Sequence, residues 1–179
     1  GRASYRSGQF TTASSPSMQA KFALVSVHID GDGDKVGRGE ISLGWRVGDT
    51  TVATFAEHKR DAGDRLTFGT TPWTVDQTMA GFLPTVRVQA TERDADGKLE
   101  FCTLGSGVSD NSGRNDSCDI KWIVADSGLV KADQIEGFPA CETLPTGDRF
   151  PGYRCMELTT EDRGSDYPKI TAVVAIRVS

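Results

Sequence analysis

From Lys21 onward, apolar and polar residues alternate with a period of two rather than the period near 3.6 of a helix. Ile41, Leu43, Trp45 and Val47 fall on one strand face, with Ser42, Gly44 and Arg46 on the other. Val86, Val88 and Ala90 oppose Arg87 and Gln89 in the same way. Thr51 to Phe55 and Arg65 to Phe68 give shorter strands. Leu99 and Phe101 restart a strand after the Asp96-Gly97 turn, a hairpin signal. Ile120, Trp122 and Val124 form one apolar face, so Trp122 is predicted to be core alongside Trp45. Arg154, Met156 and Leu158 share a face, and Ile170, Ala172, Val174, Ile176 and Val178 make the cleanest strand. Only Val75 to Phe82 offers a short helix. Eight or nine strands separated by Gly-, Asp-, Pro- and Ser-rich turns predict an all-β, antiparallel β-sandwich from residue 21 to 179.

Residues 1–20 carry seven Ser or Thr and only Arg2 and Arg6 as charges, too little apolar surface to join a core. They predict a flexible or partner-ordered extension, with Tyr5 and Phe10 as its large anchors. Such a segment can add as a strand to a partner's sheet edge. The polar opening at Gly1 reads as the start of a mature or engineered chain.

Charge narrows the partners. The 179 residues carry a net charge of -5, with Asp and Glu outnumbering Lys and Arg by 25 to 20. Nucleic acids and anionic membranes reward a basic face, so neither is expected, and no run has the ~18 apolar residues of a membrane span. Cys102, Cys118, Cys141 and Cys155 lack metal-binding spacing, and only His28 and His58 are present, so zinc is not expected. Three disulfide connectivities are open. Cys102–Cys118 with Cys141–Cys155 is preferred, because each pair closes one polar loop of about 15 residues. Disulfides imply secretion or a cell-surface location.

Two acidic runs carry the candidate chemistry. Asp30, Asp32 and Asp34 alternate with Gly31 and Gly33 after one strand, and Glu92, Asp94 and Asp96 follow another. Crowded carboxylates at a turn suit calcium, which takes six to eight oxygens from carboxylates and carbonyls. Solvated turns rich in Asp and Gly are the alternative. The first run is no EF-hand, since Lys35 stands at the required glycine and Ile41 at the terminal glutamate.

The pattern from Phe22 to Phe101, with both acidic runs, resembles the C2-like β-sandwiches of secreted bacterial proteins. That resemblance implies calcium in loops at one end of the sandwich. Lys35, Arg38 and Arg93 depart from it, since they can neutralise the carboxylates without metal. The architecture as a whole is also similar to the small adaptor subunit of secreted actinobacterial umbrella-shaped toxin particles. This second resemblance implies a non-enzymatic adaptor whose extension enters a lectin-like partner while its body grips a stalk subunit.

For catalysis, His58, between Glu57 and Lys59, is the one plausible base of a hydrolase, and no serine nucleophile motif accompanies it. His28 shares a face with Phe22, Leu24 and Ser26 and reads as a packed or edge histidine. Trp73, after Thr70-Thr71-Pro72, is a candidate exposed anchor for a partner. Asn115-Asp116-Ser117 matches a glycosylation sequon and reads as incidental. The expected function is thus a secreted binding or adaptor subunit. The alternatives are a hydrolase using His58, or a protease inhibitor presenting the loop at 102–118 or 141–155.

Overall fold

The computed structural model describes residues 17–33, 39–68, 74–94, 119–143, 150–165 and 167–179. The strand expected at Leu99 and Phe101 lies outside these residues. Among the described residues the alternating stretches become nine antiparallel strands in two sheets. They are β1 (Met18–Gly31), β2 (Gly39–Val47), β3 (Thr50–Arg60), β4 (Arg65–Thr67), β5 (Thr74–Met79), β6 (Val86–Asp94), β7 (Asp119–Asp126), β8 (Arg154–Thr159) and β9 (Lys169–Val178). One sheet runs β4-β1-β9-β8, and β5 also pairs with β1. The other runs β3-β2-β6-β7. Two short 3-10 helices, Ala132–Gly137 and Cys141–Thr143, are the described helical segments.

The core lies between the sheets. Phe22, Leu24, Val27 and Ile29 of β1 and Ile170, Ala172, Val174 and Ile176 of β9 face Ile41, Leu43, Trp45 and Val47 of β2 and Val86, Val88 and Ala90 of β6. Trp45 is fully buried, as its strand pattern requires. Leaving a large apolar side chain on the solvated face would forfeit about 1.5–3 kcal/mol, so each strand's register is firmly set.

Four details differ from expectation. First, residues 75–79 are not helical, since β5 pairs with the first half of β1, from Met18↔Met79 to Ala23↔Thr74. A sheet edge supplied partners for every second backbone group there, and an eight-residue helix has little stability of its own. Second, β1 starts at Met18, three residues ahead of Lys21. Third, β1 carries a bulge between Leu24 and Ser26 against β9. A bulge shifts the alternation by one, so Val27 and Ile29 take over the inner face and His28 turns outward, away from the side of Phe22 and Leu24. Fourth, β7 buries Ile123 and Ala125, while Trp122 on its other face is 53% exposed.

The outer faces of the two sheets are treated differently. Against the five-stranded sheet, Ala23, Val25 and Ala175 make a second cluster with Cys141, Phe150 and Cys155. Cys141 and Cys155 form the expected disulfide, 5.0 Å between Cα atoms. Phe150 meets Tyr153 edge-on at 5.7 Å, and the Arg177 guanidinium lies over the Tyr153 ring. Cys102 and Cys118 lie outside the described residues.

A candidate binding face on the four-stranded sheet

On the outer face of the four-stranded sheet, the ladder sets side chains in three rows. Ser42, Thr91 and Trp122 are directly opposite one another across β2, β6 and β7. Gly44, Gln89 and Val124 form the next row, with Thr54 of β3 beyond Gly44. Arg46, Arg87 and Asp126 form the third, with Thr51 beyond Arg46. A groove of about 600 Å3 runs over these rows, lined by all of the named residues but Trp122.

Its electrostatics are simple. The Arg87 Nε donates to Asp126 Oδ2 at 2.7 Å, and Asp126 Oδ1 accepts from the Gly128 backbone N–H, also at 2.7 Å. Gln89 Nε2 donates to Thr91 Oγ1 at 3.1 Å. Among the described residues, Arg46 makes a single long contact, 3.4 Å, from Nη2 to the Asp49 carbonyl. Arg46 and Arg87 therefore face each other across the ladder with one carboxylate between them and neutrality. Like charges directly opposite in a sheet are unfavourable.

Gly44 sits at the centre of the face. A Cβ built there would meet nothing within 4 Å, and its φ is not positive. Glycine in a strand interior is destabilising by about 0.5–1 kcal/mol relative to alanine, and often marks where a ligand approaches the backbone. Gly39 makes the contrast. A Cβ there would strike the Asp32 carbonyl oxygen, so packing alone explains that glycine.

The residues expected from the sequence are dispersed. Asp30 points from the outer face of the five-stranded sheet, where Oδ1 meets His28 Nδ1 at 2.6 Å and Oδ2 accepts from Thr171 Oγ1 at 2.6 Å. Asp32 is half-buried at the loop mouth beside Gly39. Glu92 is buried on the inner face of its own sheet, opposite Lys121 in the ladder. Asp30 and Glu92 thus point to different sides of the sandwich. Asp94 closes β6 opposite Asp119, and its side chain lies outside the described residues, as do Asp34 and Asp96. Among the described residues, no three His, Cys, Asp or Glu side chains are disposed to hold a metal ion. Tyr5, Phe10 and Trp73 also lie outside the described residues. His58 is exposed on the edge strand β3, opposite Ile41.

Sequence reasoning missed the face because its members are scattered over four strands. One signal was present: a glycine in the middle of the otherwise regular Ile41–Val47 alternation.

No described helix is long and apolar enough to cross a membrane. No family model matches the chain, and no curated protein matches it. Nothing in these comparisons supports the likeness to the umbrella-particle adaptor. Among solved structures, one described as the structure of a C2 domain aligns over 89% of this chain and 98% of its own, with 10% identity and a TM-score of 0.44.

Proposed function

We propose that this chain is an extracellular, non-enzymatic binding module, with the outer face of the four-stranded sheet as its recognition surface. Gly44 carries this reading: the fold needs glycine there neither for φ nor for packing, yet the chain bears its cost. The Cys141–Cys155 bridge supports an oxidising compartment. A catalytic reading finds less support. His58 has no hydrogen bond to a carboxylate among the described residues, and His28 is engaged by Asp30, itself held by Thr171. In the adaptor form of the proposal, residues 1–16 add a second contact through Tyr5 and Phe10, so a chain starting at Ser17 folds and loses one partner. Since Asp30 and Glu92 point to different sides, calcium enters the proposal at the first acidic run alone, where it would raise melting by mass action. An unchanged melting temperature in millimolar calcium rejects that part.

An unbiased mixture of small polar and aromatic fragments, followed by nuclear magnetic resonance, tests the surface. Hits are expected to perturb the amides of Ser42–Arg46 and Arg87–Thr91. Clustering instead in the groove beside Glu136, Tyr153 and Arg154, about 410 Å3, would overturn the assignment.

A further inference from the structure

We infer that the ligand of this face is an acidic oligosaccharide, with its carboxylate over Arg46 and a sugar ring stacked on Trp122. The inference rests on the recognition surface proposed above. Three observations choose the ligand class.

The hydrogen-bonding groups are of the kind that match vicinal hydroxyls. Ser42, Thr54 and Thr91 both donate and accept, and Gln89 offers a carbonyl as well as its amide hydrogens. A peptide gains little here. The main-chain groups of β2 and β6 are already paired on both sides within the sheet, so strand addition is confined to the edges at β3 and β7 and would leave the face between them uncovered.

The aromatic platform stands at one corner. Trp122, 53% exposed, is paired with the groove-lining Thr91 in the ladder, which places it one strand beyond the groove's lining residues on the same face. An exposed indole offers a flat apolar face beside a hydrogen-bonding rim, which suits the CH face of a sugar ring.

Charge selects an acidic sugar over a neutral one. Arg87 is neutralised by Asp126, and Arg46, directly opposite Arg87, has no ion pair among the described residues. An incoming carboxylate would relieve the repulsion between the two guanidiniums and form a charge-assisted pair. From Trp122 to Arg46 is two strands and four residues of rise, roughly 17 Å from spacings of ~4.8 Å and ~3.4 Å. That is a span for several linked sugar rings rather than one. A lone phosphate would need converging cations at one point instead of groups spread along a diagonal.

The test uses the whole chain and four probes: a uronic acid oligosaccharide, the same oligosaccharide with its carboxyls reduced, an acidic peptide of equal charge, and inorganic phosphate. Calorimetry and resonance shifts are read together. The uronate is expected to bind and to shift the Trp122 indole and Gln89 side-chain signals. Arg46→Gln should weaken the uronate by about tenfold or more while leaving the reduced form unchanged, and Trp122→Ala should weaken both. Gly44→Tyr should abolish binding without lowering the melting temperature, which separates a filled groove from a damaged fold. Equal affinity for the reduced oligosaccharide would overturn the acidic part. Binding of peptide or phosphate but no saccharide at these same signals would overturn the ligand class and leave the surface standing. So would fragment hits on the face with no saccharide bound. Saccharide binding untouched by Gly44→Tyr would overturn the placement itself.

Discussion

The outer faces of the two sheets differ in what the chain does with them. On the five-stranded sheet, Ala23, Val25 and Ala175 are small or apolar, and Cys141, bridged to Cys155, and Phe150 pack over them. On the four-stranded sheet the corresponding positions are Ser42, Gly44, Gln89 and Thr91, with Val124 and the exposed Trp122 as the apolar members of the face. One face is apolar and covered around Ala23, Val25 and Ala175, the other mainly polar and open. A sandwich needs only its inner faces apolar, so each outer face is free to be used for stability or for recognition. On the function proposed above, each sheet serves one of those uses.

That contrast can be broken from either side. The largest effect is expected at Phe150, which is 5% exposed on the covered face. Phe150→Ala should destabilise by about 3–5 kcal/mol, measured by denaturant unfolding. A loss near zero would mean that this segment is not a second core. Removing the bridge by Cys141→Ala with Cys155→Ala should cost about 3 kcal/mol, the value for a loop of some 15 residues in the chain-entropy model. Reduction of the native protein should lower melting in parallel.

On the open face the effects should be small, and one reverses sign. Gly44→Ala is expected to stabilise by about 0.5–1 kcal/mol, because an extended backbone with room for a methyl group no longer carries glycine's entropy. A destabilisation there would show that Gly44 serves the fold after all. Trp122→Ala should change stability by no more than about 0.5 kcal/mol, as for an exposed site outside the core. The sequence pattern, which put Trp122 in the core, implies several times that loss, so the same measurement decides the register of β7.

The smallest effect is a pH dependence at the edge of the covered segment. The Glu142 carboxyl is held below its ordinary 4.5 by its own backbone N–H first, then by the Gly152 N–H, with the Arg154 charge adding to both. A depressed carboxylate gives stability that is present above its unfolded-state value and lost as pH falls through the folded one. Glu142→Gln should therefore be slightly less stable than the parent at pH 7 and equal to it in strong acid, in a melting series. A difference that persists at low pH would assign the effect to packing.

The strands were legible wherever alternation was uninterrupted. Ile41–Val47, Val86–Ala90 and Ile170–Val178 all took the faces their patterns require. The Cys141–Cys155 pairing was legible from the short polar loop it closes. Less legible was the stretch at Val75, whose state depended on an edge of β1 far away in sequence. The candidate site was the least legible. Its residues are polar positions that look like ordinary solvated strand faces, and only pairing across β2, β6 and β7 gathers them.

By itself, the order of apolar and polar residues determined that this chain folds as strands, which residues of most strands face inward, and that one loop is bridged. A period of two is a local property, and burial of apolar side chains follows from it directly. The tertiary structure alone decided the rest. A bulge at Val25 turned His28 and Asp30 away from the core, and the β6–β7 register gave the inner face to Ile123 rather than Trp122. It also set two arginines opposite each other beside an empty glycine. Each of these is a relation between strands, fixed by which neighbour a backbone pairs with, and no single strand's sequence contains it.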